Sequence, residues 1–431
     1  MTHFGIICPS SAGHLNPMTT LGHELKQRGH RVTLFGLLDA QFQTLAAGLD
    51  FCALGEILYP HGSVARELKH LGEMSETDAL LHTIHLSTKG VNFNLQELPG
   101  SVKATNVEVL LIDQSTFEGG TIAEFLKIPF ITICNALVLN PDIGVPPPII
   151  PPFIPTLNSW NYDSSWWGYL RNLVGYAELG LLGISLINAI NKYRQQWNLP
   201  TYISVYDELW SKLAQISQQP IEFEFPRKSL PYCFHFTGPW SNSACRKPIA
   251  FPYEKLTGQP LIYASFGTVQ NRLMWLFHSI AEACVGINAQ LVISLGSSEN
   301  TESLPNLPGK PLIVKYAPQL ELLERASLTI THAGMNTTLE SLSNGVPMVA
   351  IPITNDQPGV AARIAWTGAG EVVPLSDLSI PKLRSAIKRV LTEDSYRQNA
   401  FRLQEAIRRS GGVSRAADIV EQVIAMGKPV Y

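Results

Sequence analysis

His14 and Asp113 open the chemical argument. His14 lies in Ser10-Ser11-Ala12-Gly13-His14-Leu15-Asn16-Pro17, which joins an apolar run to a helical pattern. Asp113 closes the apolar run Val109-Leu110-Leu111-Ile112. If both runs are strands of one parallel sheet, the loop and the carboxylate share its carboxyl edge, where ligands bind. An imidazole there is poised near neutral pH and can serve as general base. A carboxylate beside it holds one tautomer and stabilises the imidazolium. Singly, a loop His is more often a solvated or capping side chain, and Asp113 a cap. Their occurrence at matching sheet-edge positions favours the base.

A second constellation runs from Tyr316 to Gln357. Its centre is Thr331-His332-Ala333-Gly334-Met335-Asn336-Thr337-Thr338-Leu339-Glu340. A strand ending near His332 and a helix starting near Asn336 would present free backbone N–H groups and a positive dipole end, which suit a pyrophosphate. Gly334 allows close backbone approach. Asn336 and Thr337 can donate to phosphate oxygens, and Glu340 can accept from two ribose hydroxyls. The plain alternative is a strand, a turn and a helix capped by Asn336. Against it stand Tyr316-Ala317-Pro318-Gln319 upstream and Gly345-Val346-Pro347 with Asp356-Gln357 downstream.

This series, Pro318-Gln319, His332-x-Gly334-x-Asn336-Thr337, Glu340, Gly345-Val346-Pro347 and Asp356-Gln357, resembles the donor signature of the UDP-glycosyltransferase superfamily. The resemblance implies the GT-B fold: α/β, with two Rossmann-like domains whose parallel sheets face a central cleft. It implies that Tyr316 stacks on the base, although many plant members carry Trp there, and that Gln319 contacts the base. It places the diphosphate at His332, Asn336 and Thr337, the ribose at Glu340, and the sugar hydroxyls at Asp356 and Gln357. Ser265-Phe266-Gly267-Thr268 resembles the family's other diphosphate loop, with Ser265 and Thr268 as donor-binding residues, although a plain loop is as good a reading of those four residues. The Gly-His after the first strand maps to His14 and its Asp partner to Asp113. Within the superfamily, Asn355 to Ile364 is similar to carotenoid (zeaxanthin-type) glucosyltransferases.

The implied reaction is an inverting transfer of glucose from UDP-glucose to a hydroxyl of a hydrophobic small molecule. His14 takes the proton, while His332, the helix N-terminus and Thr337 meet the charge of the departing UDP. A xanthophyll is the first expectation for the acceptor, followed by a flavonoid, macrolide or other phenol. No Asp-x-Asp clamp occurs in the sequence, so neither a metal nor a cofactor is expected. Two rival classes remain: a nucleotide-sugar epimerase of the same architecture, and a non-catalytic sugar-nucleotide-binding protein.

The elements that must position these residues follow from hydrophobic periodicity. His3–Cys8, Arg31–Phe35, Val107–Ile112 and Phe130–Cys134 read as strands. Pro17–Arg28 reads as a helix with Pro17 in its first turn, and Gly120–Leu126 as another. From about 141 to 200 the texture changes: six prolines fall between Val145 and Pro155, and Trp160, Trp166, Trp167 and Trp197 follow. This reads as an extended segment followed by one or two amphipathic helices, either plain domain core or an acceptor wall, a lid or a membrane-facing patch. Thr237 to Gly258 reads as a linker. Strands then recur at Leu261–Phe266, Gln290–Leu295, Pro311–Tyr316, Leu328–His332 and Val346–Pro352, with a helix at Met274–Val285. Thr367-Gly368-Ala369-Gly370 is a turn, and the tail is helical, with Ser414 capping its last helix. The division expected is an acceptor domain at 1–240, a nucleotide-sugar domain at 241–400 and terminal helices at 401–431 that pack back on the first domain.

The bulk properties are permissive. The chain has 431 residues, 45% of them hydrophobic, with a formal charge of −3. That is ample for two cores. No basic stripe points to nucleic acid. Cys8, Cys52, Cys134, Cys233, Cys245 and Cys284 form no CxxC pair, which speaks against a zinc knuckle and for reduced thiols. The N-terminus has no signal-peptide pattern, and no apolar run reaches the roughly 18 residues of a membrane span. A cytoplasmic protein, free or peripheral at a membrane, is expected.

Overall fold

The computed structural model describes residues 1–71, 74, 76–149, 160–204, 209–242, 248–267, 274–296 and 306–431. Thr268, Cys245 and the prolines Pro151, Pro152 and Pro155 lie outside the described residues. Two all-parallel sheets organise the chain. The first has strands β1 (His3–Ile7), β2 (Arg31–Gly36), β3 (Asp50–Ala53), β4 (Val109–Asp113), β5 (Phe130–Cys134), β6 (Gln215–Ser217) and β7 (Phe234–Phe236), in spatial order β3-β2-β1-β4-β5-β6-β7. The second has β8 (Leu261–Ser265), β9 (Gln290–Ser294), β10 (Leu312–Val314), β11 (Ala326–Thr331), β12 (Met348–Ala350) and β13 (Gly370–Val372), in order β10-β9-β8-β11-β12-β13. Apart from β7, the two orders are the same. Each is the doubly wound order whose winding reverses between its first and fourth strands, and such a switch point opens a crevice for ligand.

The helices are α1 (Ala12–Gln27), α2 (Gln41–Ala46), α3 (Ser63–Leu71), α4 (Glu76–Ala104), α5 (Gly119–Leu126), α6 (Trp166–Leu182), α7 (Ile184–Gln196), α8 (Met274–Cys284), α9 (Gln319–Leu323), α10 (Met335–Ser343), α11 (Gln357–Trp366), α12 (Ile380–Thr392), α13 (Asp394–Arg409) and α14 (Gly412–Met426). The central strands are buried on both faces, as parallel strands covered by helices must be. Phe4, Ile6, Leu111, Ile131 and Ile133 pack with Met18, Leu21 and Leu25 of α1 on one face of the first sheet. Ile262, Ala264, Ile293, Ile330 and Val349 pack with α8 and α12 in the second. α13 stays with the second sheet, packed on α10. α13 also touches the first part at Phe223 and Glu222, and α14 returns to it fully, laying Ala416, Ile419, Val420 and Val423 on the core of the first sheet. Arg28 fastens it there through Asp418 at 2.6 Å and Glu421 at 2.8 Å.

Two sequence expectations need correction. Pro17 is not in the first turn of its helix, because α1 starts five residues earlier at Ala12. A proline so placed has no N–H for the carbonyl four residues before it, so the carbonyl of Gly13 loses its helical donor. Ser414 does not cap the last helix. Gly411, at φ 86°, stands at the cap, and Ser414 lies inside α14, where its hydroxyl accepts from Arg28. The left-handed turn that Gly411 and Gly412 can adopt decided the start.

Candidate active site

The first switch point holds the base. His14 is the third residue of α1, directly beyond β1, and Asp113 is the last residue of β4. β1 and β4 are hydrogen-bonded neighbours. His14 Nδ1 and Asp113 Oδ2 are 2.7 Å apart. With an ionised carboxylate, Nδ1 must carry the proton and donate, which leaves the lone pair on Nε2. Asp113 is buried. Its Oδ1 also accepts from the backbone N–H and hydroxyl of Ser115, and its Oδ2 from the Asn135 amide at 2.6 Å. Burial alone would raise the Asp113 carboxyl, but the facing His14 and these donors hold it below the ordinary carboxylate value. For His14, burial lowers the imidazole, yet the charge and hydrogen bond of Asp113, with Asp356 behind, raise it above 6.5.

The second switch point holds the anion-binding turn. Ser265 ends β8 and is buried, and His332 directly follows β11. α10 then begins at Met335, with Gly334 as its cap residue and Asn336 and Thr337 in its first turn. A side chain on Gly334 would place its Cβ 2.5 Å from His332 Nε2, and one on Gly267 would reach 3.1 Å. Space forbids a residue larger than glycine at Gly334, because its backbone is ordinary extended (φ −64°). Burial pushes the His332 imidazole down to about 4, and the nearby Ser265 backbone only partly offsets this. His332 is therefore neutral near pH 7. It can meet an anion with a hydrogen bond and not with a positive charge. Its Nδ1 is buried without a partner among the described residues.

Glu340 lies one helical turn beyond Asn336 and is buried. Gln319, the first residue of α9, donates to Glu340 at 2.7 Å and to Thr337 at 3.4 Å, and accepts from Tyr263 at 3.1 Å. Its side-chain amide is thus engaged with Glu340, Thr337 and Tyr263. Tyr316 stands exposed just before it. Asp356 takes the cap position of α11 but makes no capping hydrogen bond. Burial raises its carboxyl, opposed by a long contact to the Leu137 N–H and by the charge of His14. Gln357 is buried, and its Oε1 accepts from the N–H groups of Ile353 at 2.9 Å and Thr354 at 3.1 Å. That leaves its NH₂ as the end able to meet a sugar.

A closed ring of polar contacts ties the two switch points together. The Asn336 side chain reaches across to the first half at both ends. Its Nδ2 donates at 2.9 Å to the Gly13 carbonyl, the one that Pro17 leaves without a donor. Its Oδ1 accepts at 2.9 Å from Gln218, which also donates at 2.6 Å to the Asn135 carbonyl. Asn135 in turn reaches Asp113. The sequence reading missed Asn135 and Gln218. Each is the first residue past a strand, β5 and β6, in line with Asp113 at the end of β4, and that position was the available signal. A second tie is ionic: Arg363 of α11 meets Glu224, with both side chains 1% exposed and Arg227 alongside. Among the described residues, no three His, Cys, Asp or Glu side chains are grouped as a metal would need.

The fold and these two edges define a nucleotide-sugar transferase of two Rossmann-like halves. The family model described as UDP-glucoronosyl and UDP-glucosyl transferase matches residues 63–410, and the chain belongs to that family. It is a glycosyltransferase. Zeaxanthin glucosyltransferase of Pantoea ananas is 31% identical to it, over 100% of this chain and 98% of that protein. The zeaxanthin glucosyltransferase of Pseudescherichia vulneris is 29% identical, over 100% of both chains. Among solved structures, the glycosyltransferase of kitacinnamycin superposes with a TM-score of 0.75 over 98% of both chains at 20% identity, a likeness of fold.

Proposed function

We propose that the protein transfers glucose, with inversion, from UDP-glucose to a hydroxyl of a hydroxylated carotenoid. The observation that carries this is the His14–Asp113 pair, with Asn336 bonded to the residue next to His14. In this reading residues 1–240 hold the acceptor, 241–400 the nucleotide sugar, and α14 braces the first part. His14 Nε2 removes the acceptor proton as the oxygen forms its bond to the anomeric carbon. The bond from that carbon to the diphosphate oxygen breaks, and its electron pair leaves with UDP. Backbone N–H groups at the start of α10, neutral His332, Thr337 and Ser265 donate to the developing anion. Glu340 holds the ribose, Tyr316 faces the base, and Asp356 with Gln357 reads the sugar. Thr268 belongs to the same reading by resemblance alone.

The carotenoid acceptor rests on the two zeaxanthin glucosyltransferases that the chain is similar to. Transfer needs no metal in this reading, so excess EDTA leaves the rate unchanged. The experiment is incubation of the protein with UDP-glucose, with and without zeaxanthin in detergent, followed by chromatography and NMR of the product. A β-glucoside formed only with zeaxanthin supports the proposal. An isomerised sugar nucleotide would mean an epimerase. Binding of UDP without turnover on any hydroxylated acceptor would mean a non-catalytic protein. A carotenoid acceptor would favour contact with a membrane.

A further inference from the structure

Helix α6 is inside out. Its buried residues are Gly168, Asn172, Gly175, Tyr176 and Glu178. Its outward residues are Trp166, Trp167, Leu170, Leu173, Ala177 and Leu181, and Ile184 continues them at the start of α7. Trp166 is 75% exposed, Leu173 52%, Leu181 68% and Ile184 50%. The helical spacing gathers these side chains into one stripe. A helix on a water-facing surface shows the opposite pattern, so the stripe needs a non-aqueous neighbour. The inner face is specific: Asn172 donates to the Ile143 carbonyl at 3.0 Å, and the Tyr176 hydroxyl meets the Asp142 N–H at 3.3 Å. The helix is thus held in this orientation by hydrogen bonds, and its apolar face is not a core face turned outward.

We propose that this stripe is a docking surface for the interface of an anionic lipid bilayer. Paired tryptophans at one end of an aliphatic stripe suit the boundary between headgroups and acyl chains. The chain lies on the bilayer and does not cross it. Among the described residues no single helix is long and apolar enough to cross, and α6 and α7 meet at a bend of 51°. The apolar face of α7, with Leu186, Ile187 and Ile190, is committed to the core. The charges around the stripe choose the partner. Glu178 and Arg194 are buried, which leaves Arg171 and Lys192 on the two helices. Lys89 is exposed on α4, next to Thr88, whose hydroxyl is 3.3 Å from Ser185 of α7. Asp163, close enough to Arg171 to act on its charge, opposes them, while Glu124 is paired with the buried Arg194 at 2.9 Å. A second copy docked about a twofold axis would set these cations against each other, whereas phosphate headgroups oppose them with the right sign.

The surface is continuous with the site. Behind α6, Gly175 abuts Pro147, and the Pro148 carbonyl lies against Gly359 of α11, whose first residue is Gln357. An acceptor dissolved in the bilayer would thus be presented to the wall of the cleft. This purpose rests on the proposed lipophilic acceptor, but the binding does not need it.

The test is sedimentation of the full chain, without substrates, with vesicles of phosphatidylcholine alone or with about one-third phosphatidylglycerol. The parent should sediment with the mixed vesicles, more weakly with the neutral ones, and less in roughly 0.5 M NaCl. The triple variant Trp166→Ser, Leu170→Ser, Leu173→Ser should lose at least about tenfold in partitioning. Because these residues are exposed, it should keep UDP affinity and melting temperature, which separates lost docking from lost fold. A parent that stays in the supernatant with both vesicles overturns the proposal. So does a triple variant that partitions like the parent, or a parent dimer that the substitutions convert to monomer without any vesicle binding. Failure of zeaxanthin as acceptor would leave the vesicle result standing.

Discussion

The two switch points are built on the same strand order but finished differently. At the first, the protein completes the chemistry itself: the Asp113 carboxylate is saturated by His14, Ser115 and Asn135. At the second, buried polar atoms are left over: His332 Nδ1 and Asn355 Oδ1 have no partner among the described residues. Asn135 Oδ1 and Gln219 Oε1 share that condition at the first edge, each on a residue whose NH₂ is committed, to Asp113 and to Glu224. A buried polar atom without a partner is costly, and a ligand that supplies the missing bond recovers that cost as affinity. The two edges thus divide the labour. The base is preorganised and does not wait for substrate, while the donor site is left for the nucleotide sugar to complete.

Breaking the finished edge should have the largest effect. His14→Ala should lower kcat by on the order of 10²–10⁴ while UDP affinity stays within a few-fold. A folded variant with near-normal turnover would remove His14 from the mechanism. The base works when neutral, and its pKa is raised, so kcat/KM should fall as pH drops through a value above 6.5. Asp113→Asn removes the charge that raises it, so the acidic limb should move to lower pH as the rate falls. An unmoved limb would show that another group titrates.

The unfinished edge should respond in binding. Glu340→Ala should weaken UDP by roughly 1–3 kcal/mol, and 2′-deoxy-UDP by less, in calorimetric titrations. Equal losses would sink the ribose assignment. Gly334→Ala drives a methyl into His332 Nε2, so UDP affinity should drop about tenfold with the His14 pH limb unchanged. Parent-like affinity would mean that His332 can move without penalty. The smallest effect is expected at the sugar. Gln357→Glu keeps the oxygen that holds Ile353 and Thr354 but loses the NH₂ donor. It should cut kcat/KM for UDP-glucose several-fold and narrow its lead over UDP-galactose. An unchanged ratio would take Gln357 out of sugar reading.

Legibility followed the same division. The turn from β11 to α10 could be read because a strand end, a glycine and a helix start occur within ten residues. His14 and Asp113 could be read because each adjoins a run of apolar residues. The ring could not: Asn135 and Gln218 are ordinary polar residues whose partners lie 22 and 118 positions away. β6 and β7, of three residues each, are too short to show a period, and the interior Pro99 masks the 29-residue α4. The tryptophans of the 141–200 segment looked alike in sequence. Trp197 stacks on Phe125 within the fold, while Trp166 and Trp167 face outward, and only tertiary packing separates them.

The carbonyl that Pro17 frees has a consequence for exchanging parts between related enzymes. A donor half transplanted from a relative would carry its own residue at position 336 onto this α1. If that residue cannot donate a hydrogen bond, the Gly13 oxygen faces it with no bond from its own helix and none from its new neighbour. Proline at 17 and asparagine at 336 therefore form a two-part joint, and a graft that keeps one without the other should assemble with its base next to a loose seam.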